Sequence, residues 1–346
     1  MPIPRLARVG TVAAAVIVLS STALTSAAYG NGPHDHGRPS DTTFAVIGDI
    51  PYGAAEIASF PKVVAQINAD PAVSLVAHLG DIKNGSSTCD DAYFSMIRSR
   101  FDQFQDPLVY TIGDNEWTDC HRPNNGAYNP LERLAAVRET FFDRPGFTLG
   151  KHPVRVKVAD PTAYPENVRF SRDRISFAAV HIVGSNNSLA PWTGQTSPTP
   201  EQTAEVLGRT AAAIEDIHTT FATARRNNDR AVVLMTQADM FDPTVTNPKY
   251  ADYFAFQPIV RAIAEESKKF DKPVYLFNGD SHVYNRDFPL ASDSKWPAFY
   301  GLTSPVPNLS RITVDGSDNA NDYLRVTITN NRRDPLTWVR VPFTTS

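Results

Sequence analysis

The chain has 346 residues, with 33 Lys+Arg against 37 Asp+Glu and two cysteines. That length suits one large domain with its own core. The slight acidic excess disfavours a nucleic acid or an anionic membrane surface as partner.

Arg5 and Arg8 precede an apolar run over 12–19 and the small residues Ser26, Ala27 and Ala28, the pattern of a secretory signal peptide over residues 1–28. No Cys follows that run to carry a lipid, and no later stretch approaches the ~20 apolar residues of a bilayer span. A soluble, secreted protein, extracellular or periplasmic, is expected. Loss of the two signal arginines leaves 31 Lys+Arg against 37 Asp+Glu, a net charge near −6. Residues 29–41 lack apolar periodicity and read as a disordered leader, so His34 and His36 sit on a mobile tail. The folded domain is expected over 42–346.

An apolar strand over 44–47, helical spacing over 54–68 and a strand ending at Leu79 make a β-α-β unit. A helix over 90–104, a strand over 108–112 and a helix over 130–142 continue an α/β layer. Residues 146–173 read as an inserted excursion before a strand over 175–183. A long loop over 184–200, containing Asn186, Asn187 and Ser188, ends in the helix start Thr199-Pro200-Glu201. The helix runs to about Arg226 and feeds a strand over 231–236. A helix over 258–270 feeds a strand over 274–277. Beyond Phe299 only short β segments follow, over 311–314, 323–329 and 337–342, which predict a second sheet packed on the first.

Four of these strands end in the same dipeptide: Gly48-Asp49, Gly80-Asp81, Gly113-Asp114 and Gly279-Asp280. Gly permits a sharp turn and close approach of a ligand, and Asp supplies a hard anionic oxygen. One Gly-Asp is more often a turn or a cap. Four at the carboxyl ends of strands point to a shared crevice, where open α/β sheets bind ligands. Cys89 and Cys120 follow the second and third corners. After export they are expected to form a disulfide pinning those two loops, the alternative being two free thiols.

The order D…GD…GD-N-E…GD-S-H, from Asp49 to Tyr284, resembles the calcineurin-like metallophosphoesterase family, whose blocks are D-x-H, G-D-x-x, G-N-H-D/E, a later His and G-H-x-H. The resemblance implies a four-layer α/β/β/α sandwich of two mixed sheets flanked by helices. It also implies two divalent metal ions that polarise phosphoryl oxygens and activate a water for in-line attack. Asp49 and Asp81 match ligand positions, with Asp81 as the bridging carboxylate, and His282 matches the second His of G-H-x-H.

The chain departs from the blocks elsewhere. Pro51 stands where D-x-H has its His, with Tyr52 as the neighbouring substitute. In T-I-G-D-N-E-W, Asp114 takes the place of the ligand Asn and Asn115 that of the His assisting the leaving group, where Asn115 would also touch substrate. A shift by one would make Asn115 the ligand and Glu116 the His equivalent, but breaks the match at Gly113 and Trp117. Gln237, with Asp239 close behind, falls at the later His, and Asp280 at the first His of G-H-x-H. Oxygen therefore replaces nitrogen at several metal positions, which favours Mn, Mg or Ca over Zn.

His121 directly follows Cys120 and is either a displaced general acid or a surface histidine. Lys83, Asn84 and Arg122 either contact phosphate oxygens, as assigned to Asn84, or solvate loops. His78 and His181 lie within apolar strands and read as core histidines, and His218 as inert on a helix face. Two readings of function follow. One is a secreted metal-dependent phosphoesterase acting on small phosphate esters. The other is a non-catalytic metal- or phosphate-binding descendant of the same fold. A purple acid phosphatase variety fits less well, because its second block carries a Tyr ligand where this chain has Asn84.

Overall fold

A computed structural model describes residues 1–2 and 42–344. The expected signal peptide and leader fall almost wholly on 3–41, outside the described residues, and the described residues 42–344 form one compact unit. No described helix is long and apolar enough to cross a membrane.

The strands are β1 (Thr42–Ile47), β2 (Val73–His78), β3 (Leu108–Tyr110), β4 (Val168–Arg172), β5 (Ile175–Ala179), β6 (Ala231–Met235), β7 (Val274–Asn278), β8 (Asn285–Asp287), β9 (Leu309–Thr313), β10 (Asp322–Ile328) and β11 (Leu336–Pro342). They form two mixed sheets, in the orders β11-β10-β1-β2-β3 and β4-β5-β6-β7-β9-β8. In the first, β1, β2 and β3 pair in parallel and β10 and β11 antiparallel; in the second, β5, β6, β7 and β9 pair in parallel between the antiparallel edges β4 and β8.

Side-chain alternation sorts the core into three apolar layers. Phe44 and Val46 of β1 face Phe177, Val233 and Phe277 across the gap between the sheets. Ala45 and Ile47 point the other way, into a layer shared with Phe60, Phe94 and Phe141 of the helices Gly53–Ala69, Asp91–Phe101 and Pro130–Phe141. On the far side Val232, Leu234, Val274 and Leu276 pack against Ile217, Phe221 and Ile259 of the helices Pro200–Arg226 and Gln257–Phe270. Period-two strands buried on both faces give the helix–sheet–sheet–helix sandwich.

Local chemistry sets the helix starts. Thr199 and Gln202 form a reciprocal capping box ahead of Pro200, and Asp90 caps the helix Asp91–Phe101 by accepting from Tyr93 N at 2.7 Å.

Two expectations are corrected. The last β segments do not make the second sheet by themselves. β10 pairs antiparallel with β1, Thr42 opposite Ile328, because Leu324, Val326 and Ile328 join the same inter-sheet layer as Phe44 and Val46. The excursion over 146–173 ends in a strand, β4, whose Phe170 stacks on Phe177 of β5 at 4.7 Å. Its mixed polar sequence, V-R-F-S-R, is that of a half-exposed edge and concealed it.

Candidate metal centre

The strand ends converge. Asp49 follows β1, Asp81 follows β2, Asp114 follows β3, Gln237 follows β6 and Asp280 follows β7. At three of the four corners the Asp itself is left-handed, with φ of 53° at Asp49, 55° at Asp81 and 73° at Asp280, and His282 has φ 61°. This turns each side chain back over the end of its strand.

Two ligand triads result: Asp49, Asp81 and His282, and Asp81, Asp114 and Asp280, each with its donor atoms within 4.8 Å of one another. Asp81 belongs to both. The glycines make room: a Cβ on Gly113 would lie 2.1 Å from Asp81 Oδ1, and one on Gly184 would lie 2.7 Å from Asp114 Oδ2 and 2.8 Å from Asp280 Oδ1.

Tyr52 fills the space that Pro51 leaves. Its hydroxyl donates to Asp81 Oδ2 at 3.0 Å, lies 3.3 Å from His282 Nε2 and accepts from Asn115 Nδ2 at 2.8 Å. Asn115 also donates Nδ2 to Asp81 Oδ2 at 2.9 Å and its backbone N–H to Asp81 Oδ1 at 3.1 Å. Its amide is thus at the cluster and bonded to it. Glu116 turns away into the core and accepts from Tyr110 Oη, Gly113 N and Asp81 N. Glu116 therefore holds the backbone of two corners, and the shifted register has no support in this geometry.

Several other predicted residues sit differently from their expected roles. Gln237 lies at the cluster but presents nitrogen: Nε2 donates to Asp81 Oδ2 at 3.1 Å and Asp114 Oδ1 at 3.2 Å, while Oε1 accepts from Gly184 N at 2.7 Å. In this orientation it aligns two carboxylates instead of offering a ligand oxygen. Asn84 spends its side-chain oxygen capping its own loop, accepting from Ser86 N and the Ser86 and Ser87 hydroxyls. His121 is tied outward, its Nδ1 accepting from Thr193 N at 2.8 Å and its ring stacked on Trp192. Burial and the adjacent Arg122 lower its pKa. Lys83 is buried, donating Nζ to the carbonyls of Asn84 and Asn115 at 2.8 Å each. Asp239 pairs with Arg311 at 2.5 Å and offers the cluster only its N–H, to Asp280 Oδ2. Cys89 and Cys120 form a disulfide, fastening the second corner's loop to the third.

Two features escaped the sequence. Ser185 Oγ donates to Asp114 Oδ2 at 2.8 Å, and Asp119 lies behind it, paired with Arg122 at 2.6 Å. Ser185 stands on one left-handed helical turn, Gly184–Ser188, with φ of 52°, 54°, 53° and 69° at Ser185 to Ser188. Arg209 and Thr210 hold Asn187, and Gln202 holds the Ser188 carbonyl. The G-S-N-N-S string, rich in residues that tolerate this conformation, was the available signal.

The electrostatics call for a cation. Burial and then the charge of Asp114 push Asp81 and Asp280 well above the carboxylate range. Burial raises Asp49 against the opposing pull of His282. Burial and Asp114 lift Asp119 to about 8. His282 is raised despite its burial, because Asp49 bonds it at 3.3 Å. One histidine cannot balance the buried Asp49, Asp81 and Asp114 together with the half-buried Asp280. A hard-oxygen set with one imidazole and glycine-cleared space fits divalent ions.

The family described as calcineurin-like phosphoesterase matches residues 42–284. Among solved structures, GAP50, the anchor in the inner membrane complex of Plasmodium, is similar at TM-score 0.43 and 8% identity, over 88% of this chain and 90% of that one. Purple acid phosphatase PPD1 from yellow lupin (Lupinus luteus) seeds is similar at TM-score 0.44 and 13% identity, over 84% of this chain. The match covers 50% of the lupin chain. No curated protein matches. Since the family match takes in β1 to β7 and every ligand of both triads, the chain belongs to the calcineurin-like phosphoesterase family.

Proposed function

We propose that this protein is a secreted, two-metal phosphoesterase acting on small phosphate esters, made with a signal peptide over 1–28 and a leader over 29–41. The observation that carries the reading is Asp81, whose carboxylate is common to both ligand triads. Asp49, Asp81 and His282 would hold one ion, and Asp81, Asp114 and Asp280 the other. When bound, the ions supply Lewis acidity toward the phosphoryl oxygens and a lowered pKa for the attacking water.

The chain's own residues supply order and charge. Asn115, Tyr52 and Gln237 fix Asp81 by hydrogen bonds, and Ser185 and Gln237 fix Asp114. Four carboxylates against one imidazole favour Mn, Mg or Ca over Zn. At the position of the leaving-group acid stands Asn115, which has no proton to give at neutral pH. Esters of acidic alcohols should therefore react best.

The test is metal content of the purified protein, followed by assay with each ion against an aryl phosphate, an aryl phosphodiester and a nucleotide. Two ions per chain and turnover of an aryl ester are expected. The position of Asn115 also favours a second reading, binding without turnover, and two bound ions with no hydrolysis would select it.

A further inference from the structure

Beside the metal centre a cleft of about 500 Å³ opens between the left-handed turn and the segment 239–256. Ser185 and Asp280 lie at its inner end, and Leu189, Pro191, Tyr253 and Phe254 help to wall it. No Lys, Arg or His lines it. Of its four carboxylates, Asp239 is neutralised by Arg311 and Asp280 serves the metal centre. Asp242 and Asp252 remain, with no cationic partner among the described residues. Asp242 is fixed by Thr244, accepting from its N–H at 2.8 Å and its hydroxyl at 2.6 Å.

The Tyr253 ring is held by Phe256, Trp296 and Phe299 at 5.7–6.1 Å. Burial first, and then the charge of Asp242, hold its hydroxyl above the usual phenol range. Phe254 is 42% exposed. Aromatic faces beside unpaired carboxylates attract an organic cation. The same wall repels a second phosphate, since it has nothing to neutralise one.

We propose that this cleft is the subsite for the alcohol part of the substrate and takes a small alkylammonium group, so that phosphate esters of ammonium-bearing alcohols are preferred. The substrate half of this inference rests on the phosphoesterase reading above; the cation subsite does not.

The test separates them. Choline and 3,3-dimethylbutan-1-ol share a shape and differ in charge, and their binding to metal-free protein is measured by saturation-transfer NMR titration. Choline should bind at least about fivefold more tightly, the range of a cation–π contact with modest charge assistance. Asp242→Asn with Asp252→Asn should bring the two ligands within about twofold; Asn can still accept from Thr244, so the loop is kept. Phe254→Ala should weaken choline in an otherwise unchanged chain. With Mn²⁺ present, kcat/KM should favour phosphocholine over 3,3-dimethylbutyl phosphate by a similar factor, and the double variant should lose that ratio. Equal binding of the two alcohols, or a preference that survives the double variant, overturns the subsite even if aryl phosphates are hydrolysed. Choline preference without hydrolysis of any phosphate ester upholds the subsite and overturns the phosphoesterase reading.

Discussion

Replacing Asp81 by Asn should empty both metal positions, whereas Asp49→Asn and Asp280→Asn should each empty one. The pattern follows from membership: Asp49 belongs to one triad, Asp280 to the other, and Asp81 to both. A unit charge pair at 4 Å is worth about 4 kcal/mol at an effective dielectric near 20. If half of that survives rearrangement of the neighbours, a divalent ion still loses about 4 kcal/mol, close to a thousandfold in affinity at 1.4 kcal/mol per decade. Titration calorimetry with Mn²⁺ and elemental analysis of desalted protein give affinity and stoichiometry, with near-ultraviolet circular dichroism as the control for folding. Folded Asp81→Asn protein that retains two ions within tenfold of the parent affinity would refute the bridging assignment. So would loss of both ions from Asp49→Asn.

Three further outcomes are expected. Asn115→His should raise turnover of alkyl phosphates relative to aryl phosphates by up to ~10²-fold, the lower end of general acid catalysis; His121→Ala should leave that ratio unchanged, because His121 is bound to Thr193, and a changed ratio would make His121 the acid. Gly113→Ala should abolish binding of both ions and destabilise the fold by about 3 kcal/mol, since its Cβ would lie 2.1 Å from Asp81 Oδ1 and 2.3 Å from Asp81 N; urea unfolding and metal analysis read the two effects. The His181 contribution to the stability of metal-free protein should be lost as pH falls from 6.5: buried His181 titrates at about 4 against 6.5 unfolded, so the unfolded chain binds the extra proton in that window, worth about 3 kcal/mol by pH 4 and opposite in sign to the raised carboxylates Asp49, Asp81, Asp119 and Asp280, whose protonation favours the folded chain. Glu166, lowered to about 2 by partners including His181 and Arg138 that outweigh its burial, extends the loss from 4.5 downward. His181→Gln should remove that contribution, so the variant's urea midpoint gains on the parent's as pH falls from 6.5 to 4, and parallel profiles would count against this account.

The corners were legible because their requirement is local. A parallel strand must stop, a ligand acid must stand at its end, and Gly-Asp writes both in two letters. The same holds for the helix Pro200–Arg226, whose Thr199, Pro200 and Gln202 announce its first turn. What the sequence concealed depended on distant partners. Whether β10 would pair with β1 or join the other sheet is decided by which face carries Leu324 and Val326. Whether Gln237 offers oxygen or nitrogen is decided by the N–H of Gly184, more than fifty residues earlier. Ser185 reaches Asp114 only because Gly184–Ser188 coils left-handed, and that conformation is imposed by Arg209, Gln202 and Thr210 from one distant helix.

That imposed conformation explains why the site lies where the core is firmest. Left-handed residues other than Gly cost about 1 kcal/mol or more each, and here they cluster at Asp49, Asp81, Asp280, His282 and the turn 185–188. Such strain persists only where surrounding structure over-determines it. Three apolar layers fix the strand ends, the disulfide joins two of the corner loops, and Glu116 holds the backbone of both Gly113 and Asp81. The carboxylates thereby face one another before any ion arrives, at a cost in burial first and mutual repulsion second, which raises the pKa values of Asp81 and Asp280. An ion entering such a site meets ligands that need little further ordering and relieves a repulsion already present. Its binding free energy should therefore appear as added stability of the folded chain, and the metal-saturated protein should unfold at a higher temperature than the metal-free one by a margin that Asp81→Asn removes.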